Sequence, residues 1–72
     1  MWEELEEWWG KKWVMVQGFY KLEVMHITGS TKFIWKLHCS GECIDSGECL
    51  SGLQARGSVL HAWKDRVYVA AA

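Results

Sequence analysis

Six tryptophans in a chain of 72 residues, with only two phenylalanines and two tyrosines beside them, constrain this sequence more than any other feature. Each indole needs about 150–250 Å² of covering surface. A domain of this length buries only about 60% of the surface that its unfolded chain exposes. The tryptophans must therefore supply much of a small core, or a core and an interface together. Their distribution is uneven. Trp2, Trp8 and Trp9 crowd the N-terminus, whereas Trp13, Trp35 and Trp63 are spread over the rest.

Half of the residues are hydrophobic and the formal net charge is −1, a composition that folds rather than stays disordered. The length suits one small domain, 1–72. There is no proline, so the seven glycines must mark the turns. The longest apolar runs, such as Trp13–Val16, fall far short of the ~20 residues of a membrane span, so no membrane partner is expected. The N-terminus is acidic, the reverse of a signal peptide, which points to a cytoplasmic protein.

Residues 1–9 read as a short helix. Trp2, Leu5 and Trp9 fall at helical spacing with Trp8 beside them, Glu7 and Lys11 form an i, i+4 pair, and Gly10 suits a helix end. Lys12–Ile27 reads as extended, with Gly18 at a bulge, a bend or a tight turn between two strands. Thr28-Gly29-Ser30 signals a turn. Thr31–Cys39 then alternates, with Phe33, Trp35, Leu37 and Cys39 on one face and Lys32, Ile34, Lys36 and His38 on the other. Residues 12–39 are thus expected to form antiparallel strands. Residues 40–57 read as a Gly/Ser/Cys loop containing the repeat Ser40-Gly41-Glu42-Cys43 and Ser46-Gly47-Glu48-Cys49. The last element, 58–69, reads as strands because of Val67-Tyr68-Val69. The alternative is a helix capped by Ser58.

The expected fold is α+β: a short N-terminal helix followed by a bent antiparallel sheet. In its order of helix then strands, this plan resembles small SH3-like or Sm-like barrels. The resemblance is one of plan alone, since no motif in the chain carries it.

Charge is segregated along the sequence. Residues 1–9 carry four acids and no base, whereas residues 10–41 carry five lysines against Glu23. Lys21, Lys32 and Lys36, with aromatics nearby, form a candidate surface for single-stranded nucleic acid, because bases stack on rings while lysines meet phosphates. The bland alternative is an ordinary solvated sheet face, and a net charge near zero favours it. Cys39, Cys43 and Cys49, with His38, are candidate zinc ligands. The first two have a suitable separation and the third is loosely spaced. A buried Cys39 and free loop thiols are the simpler reading, with no cofactor. The chain has no nucleophile-elbow, phosphate-loop or metalloprotease motif, so an enzyme is not expected.

The tryptophans remain. Trp2, Leu5, Trp8 and Trp9 cannot all enter one small core, and tryptophan is enriched at the energetic centres of interfaces. The favoured expectation is a non-enzymatic interaction module that forms a homo-oligomer through this Trp-rich segment. A nucleic-acid-binding barrel and a zinc-stabilised domain are the alternatives. A fourth reading concerns origin. Ala70–Ala72 is what an eight-base restriction site would encode in frame, and with no proline and no family motif this would suit an artificial or selected chain.

Overall fold

The computed structural model describes the backbone of residues 1–71 and the side chains of residues 1–68. Ala72 and the side chains of Ala70 and Ala71, the candidate cloning scar, lie outside the described residues. The elements run β1 (Glu3–Glu7), β2 (Gly10–Gln17), β3 (Tyr20–Ile27), β4 (Phe33–Cys39), β5 (Glu42–Cys49) and α1 (Gly52–Ala71). The five strands form one antiparallel sheet in sequence order, with β1 and β5 at its edges. The helix follows the sheet rather than preceding it, and the sheet is open rather than closed into a barrel. The expected N-terminal helix and barrel are therefore both corrected.

The N-terminal segment is a strand for electrostatic reasons. In a helix, Glu3 and Glu7 would stack at i, i+4, and Glu3–Glu6 and Glu4–Glu7 at i, i+3, all of them repulsive. Nine residues are also too few for a helix to stand alone. In the hairpin, the glutamates no longer stack on one another, and Glu6 lies across from the basic start of β2. Glu6 pairs with Lys11 in register and their charged groups lie 4.0 Å apart. Glu4 accepts a hydrogen bond from Trp13 Nε1 at 3.0 Å. Trp8 and Trp9 form the two-residue connection. Gly10, the next residue, must be glycine: its φ is +154°, and a Cβ there would overlap the carbonyl oxygen of His26.

Gly18 proves to be a turn. It takes φ +61° at the first position of the Gly18-Phe19 hairpin loop, a type II′ pattern. The Cys39–Glu42 connection uses Ser40 (φ 52°) and Gly41 (φ 85°), both at positive φ as a type I′ turn requires.

Residues 40–57 are not a loop, because the three Ser-Gly pairs do three different jobs. Ser40-Gly41 makes the β4–β5 turn. Ser46-Gly47 lies inside β5, where Gly47 faces Trp35 across the ladder; a Cβ there would come within 2.6 Å of the indole Nε1. Ser51-Gly52 starts the helix, with Ser51 Oγ accepting from the backbone N–H of Gln54 at 3.1 Å as an N-cap does. The cap is thus Ser51 and not Ser58, and the C-terminal element is a helix rather than strands. Lys64-Asp65 offers no residue suited to a hairpin turn. In a helix, by contrast, Ala55, Val59 and Ala62 with Trp63 make one continuous stripe.

That stripe packs on β3, β4 and β5. Leu22, Val24, Leu37, Ala55 and Val59 are fully buried and Met15 nearly so. Trp2, Trp13, Trp35 and Trp63 pack against this cluster with Phe33, Tyr20 and Ile44. Small residues at 55 and 62 let the helix approach the sheet closely. Beyond the helix flank, Trp13 closes the core over β2. The Arg56 guanidinium lies 5.9 Å from its ring centroid and the Phe33 ring 6.2 Å away. A bulge shifts the β4–β5 register between Leu37 and His38, leaving Ile44 as the extra residue. Ile44 packs on the core, and its carbonyl accepts from Arg66 Nη2 at 3.3 Å.

Candidate interaction face

Four of the six tryptophans are accounted for by the core. The other two, Trp8 and Trp9, mark the candidate site. Its location follows from alternation. Leu22, Val24, Trp35 and Leu37 point toward the helix, so Lys21, Glu23, Met25 and Ile27 of β3 and Ile34, Lys36 and His38 of β4 point away from it. Cross-strand partners share a face. Leu5 pairs with Lys12, Lys12 with Met25, and Met25 with Ile34, so these residues belong to the second face too. No element of the described chain packs on that face.

Two features occupy it. Near the β1–β2 tip, Trp9, Met25, Ile27, Ile34 and Lys36 line an open hollow of about 260 Å³. Beside it Trp8 is 95% exposed, the most exposed tryptophan in the chain. The tip is held in place by a hydrogen bond from Thr28 N–H to the Trp9 carbonyl at 2.9 Å, which ties the β1–β2 and β3–β4 turns together.

The second feature is a charge cluster around Glu23, which is only 8% exposed although no other layer covers it. The stems of its neighbours do the covering. Lys21 Nζ lies 3.5 Å and Lys12 Nζ 3.8 Å from its carboxylate, and His38 Nε2 is 3.5 Å away. Lys36 sits directly across the ladder from Glu23. His38 Nε2 is buried and makes no hydrogen bond. The Glu23 carboxylate offsets one of the three lysine charges and holds Lys12 and Lys21 in ion pairs.

The nucleic-acid candidates divide accordingly. Lys21 and Lys36 share the uncovered face, while Lys32, just before β4, pairs with Glu48 at 3.3 Å. Of the aromatics near them, Tyr20, Phe33 and Trp35 pack against the core, and Trp9 shares the hollow with Lys36. The interface candidates also divide. Leu5 and Trp9 belong to the uncovered face and Trp8 precedes Trp9 in the β1–β2 turn, but Trp2 packs with the core on the opposite side.

The zinc candidates do not converge. His38 and Cys39 are adjacent on β4 and so point to opposite faces. Cys49 contacts Ser58 Oγ at 3.5 Å under the helix. Cys43 is the cross-strand partner of His38, yet its thiol is directed to the Asp45 carbonyl of its own strand at 3.5 Å. Among the described residues, no group of three or more His, Cys, Asp or Glu side chains could hold a metal ion. No helix among them is long and apolar enough to cross a membrane.

Sequence reasoning missed the hollow and the Glu23 cluster. A signal for both was present in β3, where Leu22 and Val24 alternate with Met25 and Ile27 on the opposite parity. A strand apolar on both faces places apolar surface on both sides of the sheet. No protein-family model, curated protein or solved structure matches this chain.

Proposed function

We propose that the protein is a non-enzymatic interaction module that self-associates through the uncovered face of its sheet. The observation that carries this reading is an apolar hollow beside a tryptophan that is 95% exposed, on a face with no covering layer. Tryptophan is enriched at interfaces, where binding energy concentrates. The two edge strands are poor candidates for the contact. β1 reads Glu-Glu-Leu-Glu-Glu, so antiparallel pairing with itself about Leu5 would oppose glutamate to glutamate. β5 carries Glu42, Asp45 and Glu48, so pairing it with β1 would also set like charges together. The face remains.

Sedimentation velocity over a concentration range from micromolar to millimolar tests the reading. The expected outcome is a reversible rise in mass with concentration, and a strictly monomeric protein at millimolar concentration overturns it.

A second reading, single-stranded nucleic-acid binding, has one observation in its favour: Lys12, Lys21 and Lys36 share the uncovered face. It requires affinity for an oligothymidine that weakens steeply between low and moderate salt. The carboxylate of Glu23 enclosed between Lys12 and Lys21 makes it the weaker of the two, although Trp9 stands beside Lys36 in the hollow.

A further inference from the structure

We infer that the partner on the uncovered face is a second copy of this chain docked reciprocally, with Trp8 of each copy seated in the other's hollow and Glu7 of each against the other's Lys36. The inference rests on the self-association proposed above and adds how it is built. Knob and hole lie side by side on one tip, which is what a two-fold contact needs, because the same patch then both gives and receives. Within one molecule Trp8 cannot fill the hollow beside it: it is exposed, and Trp9 already forms the hollow's wall.

Charge supports the same pairing. Glu7 immediately precedes Trp8 and lies in the row Glu7–Gly10–Ile27, whose Ile27 lines the hollow, while Glu7 itself lines the neighbouring cleft with Glu6, Gly10, Lys11 and His26. Lys36 lines the hollow on the basic side. Neither takes part in the ion pairs formed among the described residues. A two-fold rotation brings the acidic flank of each copy to the basic flank of the other. The seated indole would meet Trp9, Met25, Ile27 and Ile34, and the methionine adds a favourable sulfur–aromatic contact.

Two indoles and the surface they cover amount to roughly 600–1,000 Å² in all. That is below the size of a stable interface and in the range of transient ones. The dimer should therefore form and dissociate within the micromolar-to-millimolar range rather than persist at high dilution.

Charge reversal tests the docking. Glu7→Lys alone and Lys36→Glu alone each set like charges together at both contacts of the two-fold pair, and each is expected to weaken dimerisation about fivefold or more. An equimolar mixture of the two variants restores an opposite pair at both contacts and should recover the wild-type dissociation constant to within about twofold. Trp8→Ala should weaken dimerisation about tenfold or more. Lys36→Glu also faces Glu23 across the ladder and could unfold the monomer, so circular dichroism accompanies it. Trp8→Ala removes a side chain that packs on nothing in the monomer and keeps the test decisive in that case. A wild-type dimer that Trp8→Ala leaves unchanged, or charge reversals without effect in folded variants, overturns this docking while self-association stands. A monomeric wild type overturns both.

Discussion

The two faces of the sheet are built from the same strands yet answer to different rules. On the helix side, Leu22, Val24 and Leu37 are sealed under Ala55 and Val59 with no access to water. On the other side, Met25, Ile27 and Ile34 stand at similar positions in the same ladder with nothing above them. The covered face holds Trp2, Trp13, Phe33, Trp35 and Trp63 and no buried charge. The uncovered face holds Glu23 inside a ring of cations, and a hollow beside an exposed indole. One face is occupied by the chain itself, and the other carries no layer of the described chain. Apolar surface left open on a small domain is costly unless something uses it.

The difference should be largest in stability. Leu22→Ala creates a cavity in the sealed layer and is expected to cost about 2–5 kcal/mol. Met25→Ala, one of the apolar changes on the open face, should cost less than about 1.5 kcal/mol at low protein concentration, because that site can collapse into solvent. Urea unfolding of both variants measures the gap. Equal losses would mean that the open face is covered in the monomer after all.

The charge cluster breaks the comparison in the other direction, since Glu23 is a buried group on the uncovered side. Removing it leaves Lys12, Lys21 and His38 facing one another around a vacated site. Glu23→Ala is expected to cost about 1–3 kcal/mol. Part of that loss is mutual repulsion among cations and should shrink in high salt. A loss in urea unfolding below about 0.5 kcal/mol would make the cluster a surface ornament, worth no more than an exposed ion pair.

How much of this was legible in the sequence differs between the two faces as well. The strict alternation of Phe33, Trp35, Leu37 and Cys39 gave the covered side of β4 directly, and Thr28-Gly29-Ser30 gave its entry. What failed was anything decided by neighbours distant in sequence. Trp2, Leu5 and Trp9 mimic helical spacing, and the repulsion among Glu3, Glu4, Glu6 and Glu7 in a helix, together with Lys11 across the ladder from Glu6, decides for a strand. Gly47 looks like a loop residue until Trp35 lies against it. The helix start was misread for a related reason: Ser51 and Ser58 are both acceptable caps, and Ala55 and Val59 select the earlier one by the surface they bury. Of the candidate site, Trp8 and Trp9 were legible as surplus to a small core. The hollow was not, because its walls come from three different strands.

The smallest expected effect concerns the helix that creates the distinction between the faces. Gly57 sits in the interior of α1 on its exposed side, and a Cβ built there meets no atom within 4 Å. Glycine at such a position destabilises a helix by about 0.8–1.0 kcal/mol relative to alanine, since its backbone has more freedom to lose. Gly57→Ala should therefore stabilise the protein by about 0.5–1 kcal/mol, seen as a higher urea midpoint with an unchanged slope. Its value lies in what it should leave alone. The substitution tightens the cover of one face and touches nothing on the other, so self-association should be unaffected. If Gly57→Ala changes the dimer dissociation constant, the helix surface belongs to the interface and the uncovered sheet face is not its sole seat.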